Sequence, residues 1–162
     1  MGAGVVARLL VLIQGKDVAA SRYRILQYIP YLEENGFRCE VMEFPSTVKE
    51  YLKLYRILPL FDSVFVQRKR FHFPFLMLFR SRAKRVVYDL DDAVMYKNTL
   101  ADSPYSKTRQ RRFATMVRLC DCVIAGNSFL KEKAQEYNLS VEVIPSSIPN
   151  EKYRLKDYSV RS

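Results

Sequence analysis

The 162-residue chain is 49% hydrophobic, which suits one globular domain able to bury a sizeable core without disulfides or a structural metal. Its 27 basic against 17 acidic residues leave a formal charge of +10, favouring an anionic partner such as a phosphate-bearing small molecule, acidic lipid or nucleic acid. Cys39, Cys120 and Cys122 lack CxxC spacing and His72 is the only histidine, so neither a zinc site nor a disulfide framework is supported, and a reduced, cytoplasmic setting is expected.

Residues 9–13 form an apolar run too short for a signal-peptide core, and the longest later run, 73–79, is far below the roughly 18–20 residues that cross a bilayer. Short β-branched runs then alternate with amphipathic stretches. The pattern predicts strands over 9–13, 37–42, 63–67, 85–88, 122–125 and 141–144. Between them it predicts helices over 22–35, 48–57, 74–83, 106–119 and 128–137. Strands separated by helices imply right-handed crossovers and a doubly wound parallel α/β sheet of about six strands, with helices on both faces. Ser21 and Ser128 read as helix N-caps, Gly36 as the stop of the first helix, and Pro30 as a bend within it. Residues 1–145 are assigned to this domain and 146–162 to a linker, the boundary falling in the turn-rich stretch Pro145-Ser146-Ser147-Ile148-Pro149.

The run Val86-Val87-Tyr88-Asp89-Leu90-Asp91-Asp92 places three carboxylates at a strand end, where open parallel sheets present their ligands. Mutual repulsion makes such a cluster costly, which points to a site. A helix cap or a solvated acidic turn would give the same residues. The first strand-to-helix loop carries one glycine, Gly15, and matches neither GxGxxG nor GxxxxGK[ST], so a nicotinamide or P-loop assignment is unsupported. Arg22 and Arg24 fall in the predicted first turn after Ser21, where cations oppose the macrodipole. Either a bound anion or a neighbouring acid such as Asp17 or Asp91 would compensate them. Gly126-Asn127-Ser128 forms a second strand-to-helix turn able to offer amides and hydroxyls to a ligand, or to serve as an ordinary cap.

Two basic stretches complete the inventory. Residues 68–85 hold seven Lys or Arg and no acid around the apolar centre of 71–79. They read either as a core helix with solvated flanks or as a peripheral anchor on anionic lipid, with Leu76 and Leu78 or Phe79 buried and some of Phe71, Phe73 and Phe75 exposed. Residues 107–118 add Arg109, Arg111 and Arg112 without an acid, as a wet helix face or the wall of a phosphate-facing cleft. His72 among phenylalanines reads as packed or interfacial, and alternation sends Cys120 and Cys122 to opposite sheet faces.

In order, SRYRILQYIPYLEENGFRCEV, FDSVFVQRKR, VVYDLDDAV, DCVIAGNSFLKEKA and VEVIPSSIPNEKY resemble the N-terminal half of a GT-B glycosyltransferase, closest to the retaining group called family four. The resemblance implies a nucleotide-sugar donor held mainly by a second Rossmann-like domain and a glycan or lipid-linked acceptor held mainly by this one, with no further cofactor and no metal. Donor-domain residues would lie beyond Ser162, so the chain is expected to fold but not to complete a transfer. It further implies Asp91 or Asp92 close to the transferred sugar. Gly15, Ser21, Arg22, Arg24, Gln67, Arg68, Asp89, Asn127 and Ser128 would line the substrate cleft. The family's usual glycine pair in the first loop is reduced here to Gly15.

Two rivals stand beside this reading. Asp89-Leu90-Asp91 satisfies the DxD pattern by which GT-A transferases hold a divalent metal with nucleotide diphosphate. A non-enzymatic basic module for membrane or nucleic acid is the other, although no nucleic-acid motif is present.

Overall fold

In the computed structural model, residues 6–97 and 103–148 are described. Six parallel strands form one sheet: β1 (Ala7–Ile13), β2 (Phe37–Glu43), β3 (Ser63–Gln67), β4 (Val86–Leu90), β5 (Cys122–Ala125) and β6 (Val141–Val143), in the order β2-β1-β3-β4-β5-β6. This is the doubly wound, Rossmann-like α/β fold expected from the alternation. The chain steps from β1 to β2 in one direction and, for every later strand, in the other. Right-handed crossovers then place the connecting helices on opposite faces.

Two separate cores confirm it. On one face Leu10, Leu12, Val64, Val66, Tyr88 and Leu90 pack beneath α3 (Val48–Ile57), α4 (Phe73–Arg82), α5 (Lys107–Leu119) and α6 (Ser128–Gln135). On the other, Leu9, Val11, Ile13 and Phe65 meet Ile25, Leu26 and Leu32. Strands buried on both faces must be apolar throughout, which is why β1 reads ARLLVLI without alternation.

The first helix differs from the predicted 22–35. It begins earlier, as α1 (Ala19–Arg24), breaks at Ile25 (φ −143°), makes one 3-10 turn and resumes as α2 (Ile29–Glu34). Pro30 is the reason the restart is tolerated: in the first turn of α2 its missing N–H has no partner to lose. Ser21 is therefore an interior residue of α1 and not its cap. Gly36 ends α2 with φ +86°, the left-handed conformation that favours glycine, as expected.

At α6 the cap is Asn127, whose side chain accepts from the Leu130 amide at 2.9 Å, and Ser128 is the first helical residue. Thr47 and Glu50 close a reciprocal capping box on α3. Leu76 and Phe79 are buried and Phe73 is exposed, as the reading of α4 expected; Phe71 is the buried member of the phenylalanine set and Leu78 faces outward. From 149 onward the segment assigned to a linker lies outside the described residues.

Candidate active site at the sheet switch point

Neighbouring crossovers diverge between β1 and β3, and in open α/β sheets such a switch point opens a crevice beyond the carboxyl ends of the strands. Register aligns those ends, with Leu12 beside Val66, Gln67 beside Asp89 and Leu90 beside Ala125. The residues that follow, Gln14, Arg68, Asp91 and Gly126, therefore emerge on one edge.

Gln67 organises the β1–β3 gap. Its fully buried carboxamide oxygen accepts from the Ser21 hydroxyl at 2.8 Å and the Gln14 amide at 3.4 Å, while its Nε2 is buried with no partner. A buried donor left unpaired costs about 1–3 kcal/mol, and such an orphan at a ligand edge marks a place for an acceptor. Gly15, next in the chain, is not in the left-handed region. Its turn is held instead by Val18 N donating to Gly15 O at 3.3 Å and by Lys16 N donating to the Glu43 carboxylate at 3.3 Å.

The three carboxylates of β4 have separate fates. Strand β4 runs two residues further than predicted, so Asp89 falls within it and is wholly buried. Arg24 is buried too and meets Asp89 through both Nε, at 3.1 and 3.2 Å from its two oxygens, and Nη2. Its Nη1 donates to the Ile144 carbonyl. Burial pushes the Asp89 carboxyl up to about 6, against the lowering by Arg24, and hydrogen bonds to Asp89 raise the Arg24 guanidinium against its own burial. Arg24 and Asp89 are thus a structural ion pair locking α1 to β4 and to the segment after β6. They do not line a cleft.

This corrects the placement of Arg22 and Arg24 in a first helical turn and removes Arg24 from the anion-receptor alternative. Both sit in the last turn of α1, where cations complement the macrodipole, and Arg22 is exposed without an ion pair among the described residues.

Asp91 and Asp92 follow β4 at this edge, and Asp92, the more exposed of the two, lines a cavity together with Gln14 and Arg68. Asp91 Oδ1 is buried and accepts no hydrogen bond; its nearest cation is Arg68 Nε at 3.9 Å. Asp92 pairs with Arg68 Nη2 and accepts from the Ala93 amide at 2.8 Å. Arg68 is held in a left-handed conformation, φ 54°, by its amide donating to Asp89 O at 2.8 Å and its carbonyl accepting from Tyr88 Oη at 3.1 Å. That turn aims its guanidinium back at the two carboxylates. Gly126 closes the far side: a Cβ there would stand 3.2 Å from Leu90 O and 3.3 Å from Asp91 Cα, so a side chain would have to push this backbone back by a few tenths of an ångström.

The fold therefore brings Gln14, Gln67, Arg68, Asp91 and Asp92 together, with Ser21 joined through Gln67. Arg24 and Asp89 lie beneath them, and exposed Asn127 and Ser128 belong to the α6 cap. The sequence assigns Lys97 no role and Arg70 only a place in the 68–85 basic stretch. Beside the crevice they line a cavity of about 650 Å3 with Arg68, Lys69, Arg109 and Arg112; the acid-free runs 68–85 and 107–118 signal every one of these cations except Lys97. No group of three or more His, Cys, Asp or Glu among the described residues could hold a metal ion. Likewise, no helix among them is long and apolar enough to cross a membrane. No protein-family model matches the chain, and no curated protein matches it.

Proposed function

We propose that this chain is the Rossmann-like, acceptor-side half of a retaining GT-B glycosyltransferase, transferring a sugar from a nucleotide-sugar donor to a glycan or lipid-linked acceptor. The observation that carries the reading is Asp91: a buried carboxylate oxygen without a hydrogen-bond partner, just beyond the carboxyl end of β4, with the Arg68 guanidinium 3.9 Å away. Retaining transfer develops positive charge on the sugar ring and must assist an acceptor hydroxyl. A carboxylate with spare acceptor capacity serves either task. Asp92, already bonded to Arg68 and the Ala93 amide, tunes and positions that partner. The order of motifs in the sequence supplies the family-level part of the proposal.

The metal-dependent rival is weakened by Asp89. Its carboxylate is committed to Arg24 in the interior, so the DxD pattern does not present two free ligands. A peripheral position on the cytoplasmic face of a membrane is supported by Phe73, Met77 and Leu78, which project from α4, whose last turn carries Arg80 and Arg82.

The test is a transfer assay on the full gene product with a panel of nucleotide sugars and lipid-linked and glycan acceptors. Asp91→Asn should lower kcat at least about tenfold, about 1.4 kcal/mol of transition-state stabilisation, and leave the melting temperature nearly unchanged. Absence of turnover with every donor, or a variant that loses thermal stability but keeps kcat, would remove the assignment.

A further inference from the structure

The cavity beside the crevice concentrates charge that the protein does not neutralise. Its lining holds six cations, Arg68, Lys69, Arg70, Lys97, Arg109 and Arg112, against one carboxylate, Asp92, and Arg68 occupies that carboxylate. None of the other five makes an ion pair among the described residues. Cations gathered into one concavity raise each other's energy, and a chain that had only to solvate them would spread them over its surface.

The guanidinium groups are oriented. Arg70 Nη1 donates to Val94 O at 2.8 Å and to Arg109 O at 3.3 Å, Arg109 Nη1 donates to Tyr96 O at 2.7 Å, and Arg112 Nη2 meets His72 Nδ1 at 3.2 Å. Carbonyl and imidazole acceptors fix direction but bring no compensating charge. Each guanidinium has five N–H groups. Nε and Nη2 of both Arg70 and Arg109 have no protein acceptor among the described residues. Burial lowers the pKa of Arg70, and the charges of Arg109, Arg112 and Arg68 lower it further against an opposing contribution from Tyr88.

We propose that this cavity binds a phosphate or diphosphate group through Arg70, Arg109 and Arg112, with exposed Lys69 and Lys97 adding to its field. Several planar forks converging on one volume match the tetrahedral oxygens of phosphate better than a single carboxylate. Val94 and Tyr96 on the same wall suit the sugar or alkyl portion of an organic phosphate. Arg68 and Asp92 line the cavity and Arg68 also comes within 3.9 Å of Asp91, so the cavity adjoins the proposed catalytic carboxylate. The binding stands on the cavity alone. Its role, making the acceptor a sugar phosphate or a lipid-linked phosphate, rests on the transferase reading.

Calorimetric titration with inorganic pyrophosphate, and sedimentation with phosphatidylcholine vesicles with and without phosphatidate, separate a soluble phosphate from a lipid headgroup. Binding should weaken as salt is raised. Arg109→Ala and Arg112→Ala, at exposed positions where folding is not at risk, should each weaken it at least about tenfold, or about 1.4 kcal/mol. Arg118→Ala, on the same helix but stacked on Tyr137, should leave it unchanged. Loss of pyrophosphate binding in the two variants supports a soluble ligand, and the same pattern seen only with phosphatidate vesicles supports a headgroup. Failure of both probes to bind, or binding that Arg109→Ala and Arg112→Ala leave intact, overturns the proposal. Phosphate binding without any sugar transfer would sink the transferase reading and leave the cavity's assignment standing.

Discussion

Replacing Arg24 by methionine separates a structural from a catalytic role for the β4 carboxylates. The substitution keeps the side chain's bulk and removes its charge, stranding Asp89 in an interior where the two side chains are 3% and 1% exposed. Breaking a buried pair by deleting one partner costs about 3–5 kcal/mol, a large part of the roughly 5–15 kcal/mol by which a domain is stable. For a chain of this length that lowers the melting temperature by roughly 6–20 °C.

The cost should also depend on pH. Asp89 titrates at about 6 with Arg24 in place, and without it the carboxyl must rise further. Each pH unit of that extra rise costs about 1.36 kcal/mol where the wild-type group is ionised and nothing well below pH 6. Arg24→Met should therefore be less destabilised at pH 5 than at pH 7. Replacing both partners, Arg24→Met with Asp89→Leu, should recover most of the loss. Urea melts followed by circular dichroism at the two pH values give all of these quantities. A single-variant cost below about 1 kcal/mol at pH 7, or one that grows on acidification, would show that the pair does not hold α1 to the sheet.

Two further outcomes follow from the same edge of the sheet. Because the folded Asp89 carboxyl sits at about 6 and its ordinary value is 3.8, its contribution to stability is fully present below 3.8 and lost as pH rises through 6. The stability of wild type relative to Asp89→Asn should fall between pH 4 and pH 7, and a rise would contradict the burial argument. Gly126→Ala should cost about 1–3 kcal/mol, since the new methyl meets the fixed backbone of Leu90 and Asp91. Gly15→Ala, whose Cβ would find only Val18 Cγ2 at 3.4 Å and Glu43 Oε1 at 3.9 Å, should be nearly neutral; equal losses in the two melts would refute the close-approach account.

Much of the architecture was legible because the interior parallel strands, buried on both faces, write themselves as apolar runs while the edge strand β2 alternates as FRCEVME, and all six were placed to within two residues. The fate of the acidic cluster was not. Local sequence gives Asp89, Asp91 and Asp92 equal standing. Their separation depends on β4 extending through Leu90 and on an arginine 65 positions earlier reaching into the interior. The early start of α1 was hidden for a related reason. Val18 offers no side-chain cap, so Ser21 looked like the beginning when its hydroxyl was already spent on Gln67, 46 residues away. Arg70 and Lys97 come from separate loops whose approach is set by the sheet order.

Position 68 sets two demands against each other. A glycine would accept the backbone at φ 54° freely, whereas an L-residue with a Cβ pays about 1–2 kcal/mol to adopt it. Yet only a long cation turned by that backbone reaches Asp92 and approaches Asp91 from the same point on the chain. Selection for thermal resistance alone would drift toward glycine here and disarm the crevice. Selection for chemistry would keep the arginine and accept a softer fold, so the residue marks where durability and reactivity trade against one another in this domain.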